Sequence, residues 1–444
     1  MDSDKPSLIY IQNKIYDVSE FVNEHPGGAK VLLTHVGKDA SDVFQAMHPD
    51  SAFELLANYY VGDTDTKYIP GGRHQKLEFE HDMRQLRREL EQSGKFIASP
   101  WYYLFKFIST LLIGGLSCIL LYTFGQISSV AVVMASCLMG LFWQQCGWLA
   151  HDFGHHQVFS HRFWNDVVLV FLGDFCQGFA LSWWKNKHNT HHASTNVSGD
   201  DPDIDTAPVL LWDEYTTAYY YGTLQDEQAI QNKDLTHWLA RYILPYQTRY
   251  YFFVIGLARA SWAIQSLLYI IQVGAVNRSK SLRAYEAACL ISHWLLFATM
   301  TYFWIGDLTH RLMFFTLSQA VAGYLLSIVF ALNHNGMPVI SKSVAKDLGF
   351  FEIQAITSRN IKLGVVGGWM TGGLNYQIEH HLFPMLPRHH LGTIQPRVEA
   401  LCKKHHVNYH VTDFYHGTLE VLHTLHLAET VSQRMVKKTW TMPE

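Results

Sequence analysis

Charge is scarce in this chain: Asp, Glu, Lys and Arg make up only 16% of its 444 residues, against 48% hydrophobic and 14% aromatic. Soluble enzymes carry about 25% charge, so the composition points to a membrane. Cysteine is also sparse: Cys118, Cys137, Cys146, Cys176, Cys289 and Cys402 lie far apart, mostly within apolar runs, and no Cys-x-x-Cys occurs. They read as small core residues in a reducing compartment. The net charge is −4, and no basic stripe interleaved with aromatics is present, which argues against a nucleic-acid partner. No Gly-x-Gly-x-x-Gly opens a helix, so nothing reads as a flavin or nicotinamide fold. No positively charged leader with a short apolar run and a cleavage site begins the chain, and the N-terminus is expected to stay cytosolic.

Histidine, by contrast, is abundant, and seven of the 26 fall in three clusters: His151-x-x-x-His155, His188-x-x-His191-His192 and Gln377-x-x-His380-His381. Residues at i, i+3 and i+4 share a helix face, so each cluster can aim its imidazoles at one point. His334, in Asn333-His334-Asn335-Gly336, is an eighth candidate. One such pair often only hydrogen-bonds or sits on a solvated face; three clusters at the ends of apolar stretches point to metal. Neutral imidazoles suit Fe, Cu, Zn or Ni, so ligand type alone leaves the metal open. His156 points away from the 151/155 face and reads as structural, and His389 and His390 read as surface residues. Asp152 and Glu379, inside the boxes, either orient imidazoles or are simply solvated. The run Asp200 to Asp205 lacks EF-hand spacing and reads as loop structure near the site.

Four segments are long and apolar enough to cross a bilayer: Trp101 to Thr123, Ser128 to Ala150, Ala287 to Ile305 and Leu312 to Leu332. Short connections, Phe124 to Ile127 and Gly306 to Arg311, make two hairpins whose tips fall on one side. Lys95, Arg162, Arg278, Lys280, Arg283, Lys342 and Lys346 lie on the other side, which the positive-inside bias makes cytosolic, together with both termini and all three histidine clusters. Asn165 to Ser182 and Tyr250 to Gly274 are also apolar but hold Asp166, Asp174 and Arg259, and are expected to be interfacial. Asn196-Val-Ser198 and Asn277-Arg-Ser279 match glycosylation sites, which the cytosolic side makes silent.

Residues 1–65 form a small acidic domain, with 11 Asp and Glu against four Lys. Pro26 and the Gly27-Gly28 pair make a turn able to present His25, and Val31, Leu32, Leu33 and Phe44 suit the walls of a flat cofactor. Residues 66–100 read as a linker, where Phe79, Met83, Leu86 and Leu90 form the stripe of an amphipathic helix expected to lay the first domain against the membrane part.

Lys14-Ile-Tyr-Asp-Val-Ser-Glu-Phe21, His25-Pro-Gly-Gly and His48-Pro resemble a cytochrome b5 domain, and the resemblance implies haem b with His25 and His48 as axial ligands. A redox carrier fused to a second metal site implies electron delivery, which a zinc hydrolase would not need. The whole pattern, through His151-Asp-Phe-Gly-His155, His188-Asn-Thr-His191-His192 and Gln377-Ile-Glu-His380-His381, resembles the front-end acyl desaturases. Gln377, where most other membrane desaturases have histidine, is the most telling detail. Trp183-Trp184-Lys-Asn-Lys-His188, Asp201-Pro-Asp-Ile-Asp205 and Gly373-Leu-Asn-Tyr-Gln377 look closest to fungal delta-6 desaturases, which make gamma-linolenic from linoleic acid.

The resemblance implies a multi-domain protein: a small α+β haem domain (1–65), the linker (66–100), and an all-α polytopic membrane domain (101–444) with a cytosolic histidine-rich cap. It implies two non-haem irons, held by His151, His155, His188, His191, His192, His380 and His381, with His334 and Gln377 completing the shell or, for Gln377, acting through water or as a donor behind it. It also implies O2 as co-substrate, electrons from NAD(P)H through an external cytochrome b5 reductase, an unsaturated acyl lipid or acyl-CoA as substrate, and an endoplasmic reticulum membrane. Delta-5 or sphingolipid delta-8 desaturation and lipid hydroxylation remain open on the same scaffold. So does a non-enzymatic haem-binding membrane electron carrier.

Overall fold

Apolar residues at every second position make the first strand: β1 (Leu8–Ile11) turns Ile9 and Ile11 into a core and leaves its neighbours half-buried. Gln12 and Asn13, both at positive φ, close a two-residue hairpin to β2 (Lys14–Asp17), the geometry a right-twisted antiparallel pair favours. β3 (Tyr60–Asp63) completes an antiparallel sheet in the order β1-β2-β3. Three short helices, α1 (Ala29–Leu33), α2 (Ser41–Met47) and α3 (Ser51–Leu56), enclose a core of Val18, Phe21, Val31, Val43 and Leu56. A helical remainder follows this small α+β unit, the fold class expected. The computed structural model describes residues 6–64, 74–224, 235–273 and 279–440. Asp2, Asp4, Lys5 and Asp65 of the acidic count, the linker residues before His74, and Gly274, Asn277 and Arg278 lie outside the described residues.

The stripe in the linker lies on α4 (His74–Gln92), where Phe79 and Met83 are 0% and Leu86 and Leu90 2% exposed, packed with Ile378, Leu382 and Phe383 of the third histidine segment. On another face, Arg84 grips the Asp42 carboxylate with two hydrogen bonds of 2.6 and 2.7 Å. The helix therefore ties the first domain to the third histidine segment. Removing the Phe79 side chain leaves a large void there, so Phe79→Ala is expected to cost about 3–5 kcal/mol, seen as a lowered thermal midpoint of the purified protein.

Among the described residues, four helices are long and apolar enough to cross a membrane: α5 (Pro100–Phe124), α6 (Ser129–Gly154), α11 (Lys280–Trp304) and α12 (Leu308–His334). Each opens on a side chain that accepts a backbone N–H of its first turn: Ser99, Ser128, Ser279 and Asp307. Leu112, Ile119, Ile291 and Leu295 stand outward and exposed, as lipid contact requires. α6 packs against both α5 and α12; at Gly140 a Cβ would come within 2.7 Å of Val321 and 3.0 Å of the backbone of Ala322, so only glycine permits that approach. The hairpin tips meet, Gln126 donating to the Phe303 carbonyl at 3.0 Å, while the histidine ends of α6 and α12 lie at the opposite end.

The charged apolar stretches do not run straight. α7 (Arg162–Val170) continues as a π-helical turn, Phe171–Gln177, and the chain then bends by 108° into α8 (Leu181–Ala193). Gly178, at φ 84°, makes the corner, and the Asp174 carboxylate accepts the Leu181 N–H that begins α8. Likewise α9 (Gln247–Gly256) and α10 (Ala258–Gln272) belong to a pair bent by 71°. Arg259 of α10 is fully buried, donating to the Gln177 carbonyl at 2.5 Å and stacked 3.5 Å over Trp143, which explains how a charge is kept among apolar helices. The cysteines are all free; Cys146, Cys176, Cys289 and Cys402 are buried, whereas Cys137 faces outward from α6.

Candidate active site

Helical spacing decides which histidines meet, and it does not follow the sequence clusters. On α8, His188 and His192 are a turn apart and share one face, and His191 is turned toward another. His188 and His192 join His151 and His155 from the end of α6, and His380 from α14 (Gln377–Leu382), with ligand nitrogens all within 4.8 Å. His191 instead joins His334, the last residue of α12, and His381, whose side chain leaves α14 about 100° from that of His380. Each box was expected to aim at a single point; the second and third are instead split between a five-histidine and a three-histidine cluster. The two lie side by side, the His192 and His381 rings stacked with centroids 4.2 Å apart. All eight histidines are buried.

The nitrogens converge as ligands do. Nε2 atoms of His155 and His188, His188 and His192, and His192 and His380 stand 2.9, 3.1 and 3.2 Å apart, and Nε2 of His151 and of His381 is buried without a hydrogen-bond partner among the described residues. In the three-histidine cluster every Nδ1 is tied from behind: His191 to Asp201 at 2.9 Å, His334 to the Thr357 carbonyl at 3.2 Å and His381 to Gln354 Oε1 at 2.8 Å. That fixes the tautomer and leaves each Nε2 facing inward. Burial and the surrounding imidazoles hold His380 and His381 well below the ordinary histidine range, so both rings are neutral, the form that binds metal. A buried, all-imidazole donor set with free inward nitrogens fits two cations such as iron.

Gln377 lies 2.9 Å by its Nε2 from His334 Nε2, while its Oε1 accepts from Asn333 Nδ2, whose other bond goes to the Leu374 carbonyl. The amide N–H therefore faces the three-histidine cluster, which suits a donor to bound solvent better than an oxygen ligand. Asp152 and Glu379 are both buried rather than solvated. Asp152 pairs with Arg388 at 2.6 Å, 3.6 Å from His151 Nδ1. Glu379 touches no imidazole: it accepts from Tyr409 and Asn360, bracing α14 against β4 (Arg359–Lys362), and burial pushes its carboxyl up to about 6. The carboxylate that orients a cluster histidine is Asp201. Sequence reading placed its loop near the site but missed this role, for which Asp ten residues beyond a box histidine is the only signal. His389 is no surface residue either: half-buried, it stacks on Tyr102 and accepts the Ser99 N–H, anchoring the start of α5. Asn196 is 1% exposed and bonded to the His334 and Pro338 carbonyls, which removes it as a glycosylation site.

Both clusters border one cavity of about 840 Å³, with His151, His188 and His334 at its wall and Trp148, Trp183, Leu210, Trp212, Ile255, Trp262, Leu326 and Phe330 around them. An apolar space of this size, supplied by α6, α8, α9, α10 and α12, suits a long hydrocarbon chain.

A second cavity holds His25 and His48 opposite one another, ring centroids 5.9 Å apart, with Nδ1 of each tied to a backbone carbonyl, Gly28 and Phe44, which orients both imidazoles across the cavity. Val31, Leu32 and Phe44 line it as expected; Leu33 packs into the domain core instead. Burial and His25 hold His48 down at about 3, hence neutral. These residues fit a haem. The remaining wall comes from the catalytic part: Gly154, His155, His156, Arg162, Lys185, Asn189, Pro384 and Met385. The domain docks through its His25-Pro-Gly-Gly turn onto α8, with Asn189 donating to the Gly27 carbonyl at 3.3 Å and Arg162 to that of Met47 at 2.7 Å.

Residues 127–413 match the family described as fatty acid desaturase, and residues 1–65 that of the cytochrome b5-like heme/steroid binding domain. The chain is 36% identical over 440 residues to an acyl-lipid (9-3)-desaturase of Physcomitrium patens, covering 97% of this chain and 77% of that protein. It is 35% identical over 407 residues to a delta(8)-fatty-acid desaturase of Euglena gracilis (91% and 90%) and 33% over 425 to a delta(6)-fatty-acid desaturase of Caenorhabditis elegans (91% and 91%). These relatives are named for different double-bond positions and so do not choose among them. With histidine clusters on an acyl-sized cavity and a fused haem-type domain beside them, the chain belongs to the fatty acid desaturases, among the front-end members that carry a cytochrome b5 domain.

Proposed function

We propose that this desaturase acts at the delta-6 position, converting linoleic to gamma-linolenic acid, by removing two hydrogens from adjacent methylenes between an existing double bond and the carboxyl end. The observation that carries the mechanism is His155: it belongs to the five-histidine cluster and also lines the His25/His48 crevice, so one side chain separates the two redox-competent sites. When bound, haem b supplies electrons one at a time and a pair of irons activates O2 to attack an unactivated C–H bond. The chain's own residues do the rest. His25 and His48 would hold the haem; His151, His155, His188, His192 and His380 would hold one iron, and His191, His334 and His381 the other. Asp201, Thr357 and Gln354 fix the rings of the second set, and Gln377 offers an N–H beside it. Trp148, Trp183 and Phe330 exclude water and lay the acyl chain along His151, His188 and His334.

The choice of delta-6 rests on the strings around His188, Asp201 and Gln377 and on the likeness to the delta(6) relative. The likeness to the delta(8) relative supports a second reading, delta-8 insertion into a longer chain. We further infer an endoplasmic reticulum membrane with both termini cytosolic, supported by the position of the histidine ends opposite the hairpin tips. The division at 65 and 100 follows the matched haem domain and the start of α5. Electrons come from NAD(P)H through a cytochrome b5 reductase, for which exposed Glu20, Asp50, Glu54 and Asp63 offer an acidic face.

Expression in a yeast lacking polyunsaturated fats, fed linoleic acid, is expected to yield gamma-linolenic acid by gas chromatography and mass spectrometry. A delta-8 product from fed eicosadienoic acid, with linoleic acid untouched, would instead select the second reading.

A further inference from the structure

Two buried nitrogens lining the haem crevice have no hydrogen-bond partner among the described residues, and both belong to the desaturase part. Nε of Arg162 and Nδ1 of His156 are each shielded from solvent and unbonded, and both residues line the cavity that holds His25 and His48. Leaving such atoms unpaired costs free energy that a folded chain rarely accepts without a ligand. Their neighbours do not supply one. Arg162 spends Nη2 on the Met47 carbonyl; Lys185 is taken by Asp166 at 2.5 Å, and the same carboxylate lies 4.0 Å from His156 Nε2. Arg162, Lys185 and Asp166 together leave one positive charge at this wall. The rest of the crevice facing them is apolar apart from His25 and His48 and a few neutral polar groups. His156 holds a positive φ of 57°, a conformation with a steric cost, which turns it away from the five-histidine cluster that its neighbour His155 joins.

We infer that Arg162 and His156 form a carboxylate-binding subsite in the catalytic domain, which takes the propionate groups of the haem held by His25 and His48. The inference rests on the haem reading above. It makes the haem site a composite of both domains: the cofactor's charged edge is held by the segment that follows His155, which fixes the haem relative to the five-histidine cluster. Arg162 is a positioning residue here, its guanidinium giving a charge-assisted hydrogen bond from Nε.

The test uses the full-length protein in detergent, loaded with haem b or with haem dimethyl ester, whose carboxylates are masked. Haem loss is followed by transfer to excess apomyoglobin, and the midpoint potential by spectroelectrochemistry. Arg162→Gln is expected to release haem b about tenfold faster than wild type, as loss of one charge-assisted hydrogen bond implies. It is also expected to lower the midpoint potential, because a cation near the haem favours the reduced iron. With the dimethyl ester, wild type and Arg162→Gln should lose haem at the same rate. An equal acceleration with both haems would show that Arg162 only docks the domains through Met47, and would overturn the proposal. Arg162→Lys, which keeps the charge, guards against misfolding: it should retain a preference for haem b over the ester, and losing that preference while folded would count against the subsite. Absence of a bis-histidine Soret spectrum in wild type would overturn the haem reading itself, an outcome distinct from either result with the variants.

Discussion

His191→Ala is expected to abolish desaturation, to below about a thousandth of wild type, while leaving the haem Soret spectrum unchanged. His191 supplies one of the three imidazoles in its cluster, and its loss leaves His334 and His381 as the remaining pair. The substitution also strands the Asp201 carboxylate, 1% exposed, with only the backbone N–H groups of Asn196 and Asp203. The haem crevice does not include His191, so the two readouts separate. Iron analysis should show about one non-haem iron lost per chain. Asp201→Asn, which keeps the shape but weakens the hold on Nδ1, should lower metal affinity or activity about 10- to 100-fold. Product above a few per cent from a well-folded His191→Ala protein would remove His191 from the ligand set.

Gly28→Ala is expected to lower turnover with the native electron donors at least about tenfold in protein that still carries haem, because small misplacements of reacting groups carry penalties of this order. Gly28 sits at φ 99°, and a Cβ there would lie 2.5 Å from Asn186 Oδ1 and 2.9 Å from the Asn186 backbone. Asn186 is on α8, two residues before His188. The glycine pair thus does more than form the turn that presents His25: it lets the haem domain lie directly on the helix that carries three of the histidines. Stopped-flow measurement of haem reoxidation in the presence of acyl substrate and O2 reports the step itself, and haem absorbance reports local strain separately. Wild-type reoxidation rates in Gly28→Ala would show that this close docking is not how the two sites communicate.

Much of this site was legible in the chain because its signals are local. Twenty apolar residues must form a helix in lipid, so the four spans and their hairpins follow from run length, each within several residues of the observed ends. The stripe of Phe79, Met83, Leu86 and Leu90 follows from a 3.6-residue period, and all four are buried. His334 was marked by its place at the end of a span, and it does join a cluster.

What was not legible depends on groups distant in sequence. The pairing of His191 with Asp201 runs across a loop, that of His381 with Gln354 across 27 residues, and that of Asp152 with Arg388 between the end of the second span and the segment after the third box. Glu379 and Asp201 are both acids near box histidines; only packing against Asn360 and Tyr409 makes the first a brace, and only the loop's fold makes the second an orienting partner.

The sequence by itself determined the parts: motif strings that resemble a haem-type domain, an amphipathic strap, four membrane-length helices and eight histidines on helical segments, because each is carried by a short string, a period or a run length within a few turns of chain. Tertiary structure alone decided how the parts combine. The second and third boxes are each divided between two clusters because neighbouring helical side chains diverge by about 100° and several helices converge on the same space. The haem crevice acquires a wall from the catalytic domain because a side-chain-free turn at Gly28 permits contact with α8, a distance that no spacing in the chain encodes.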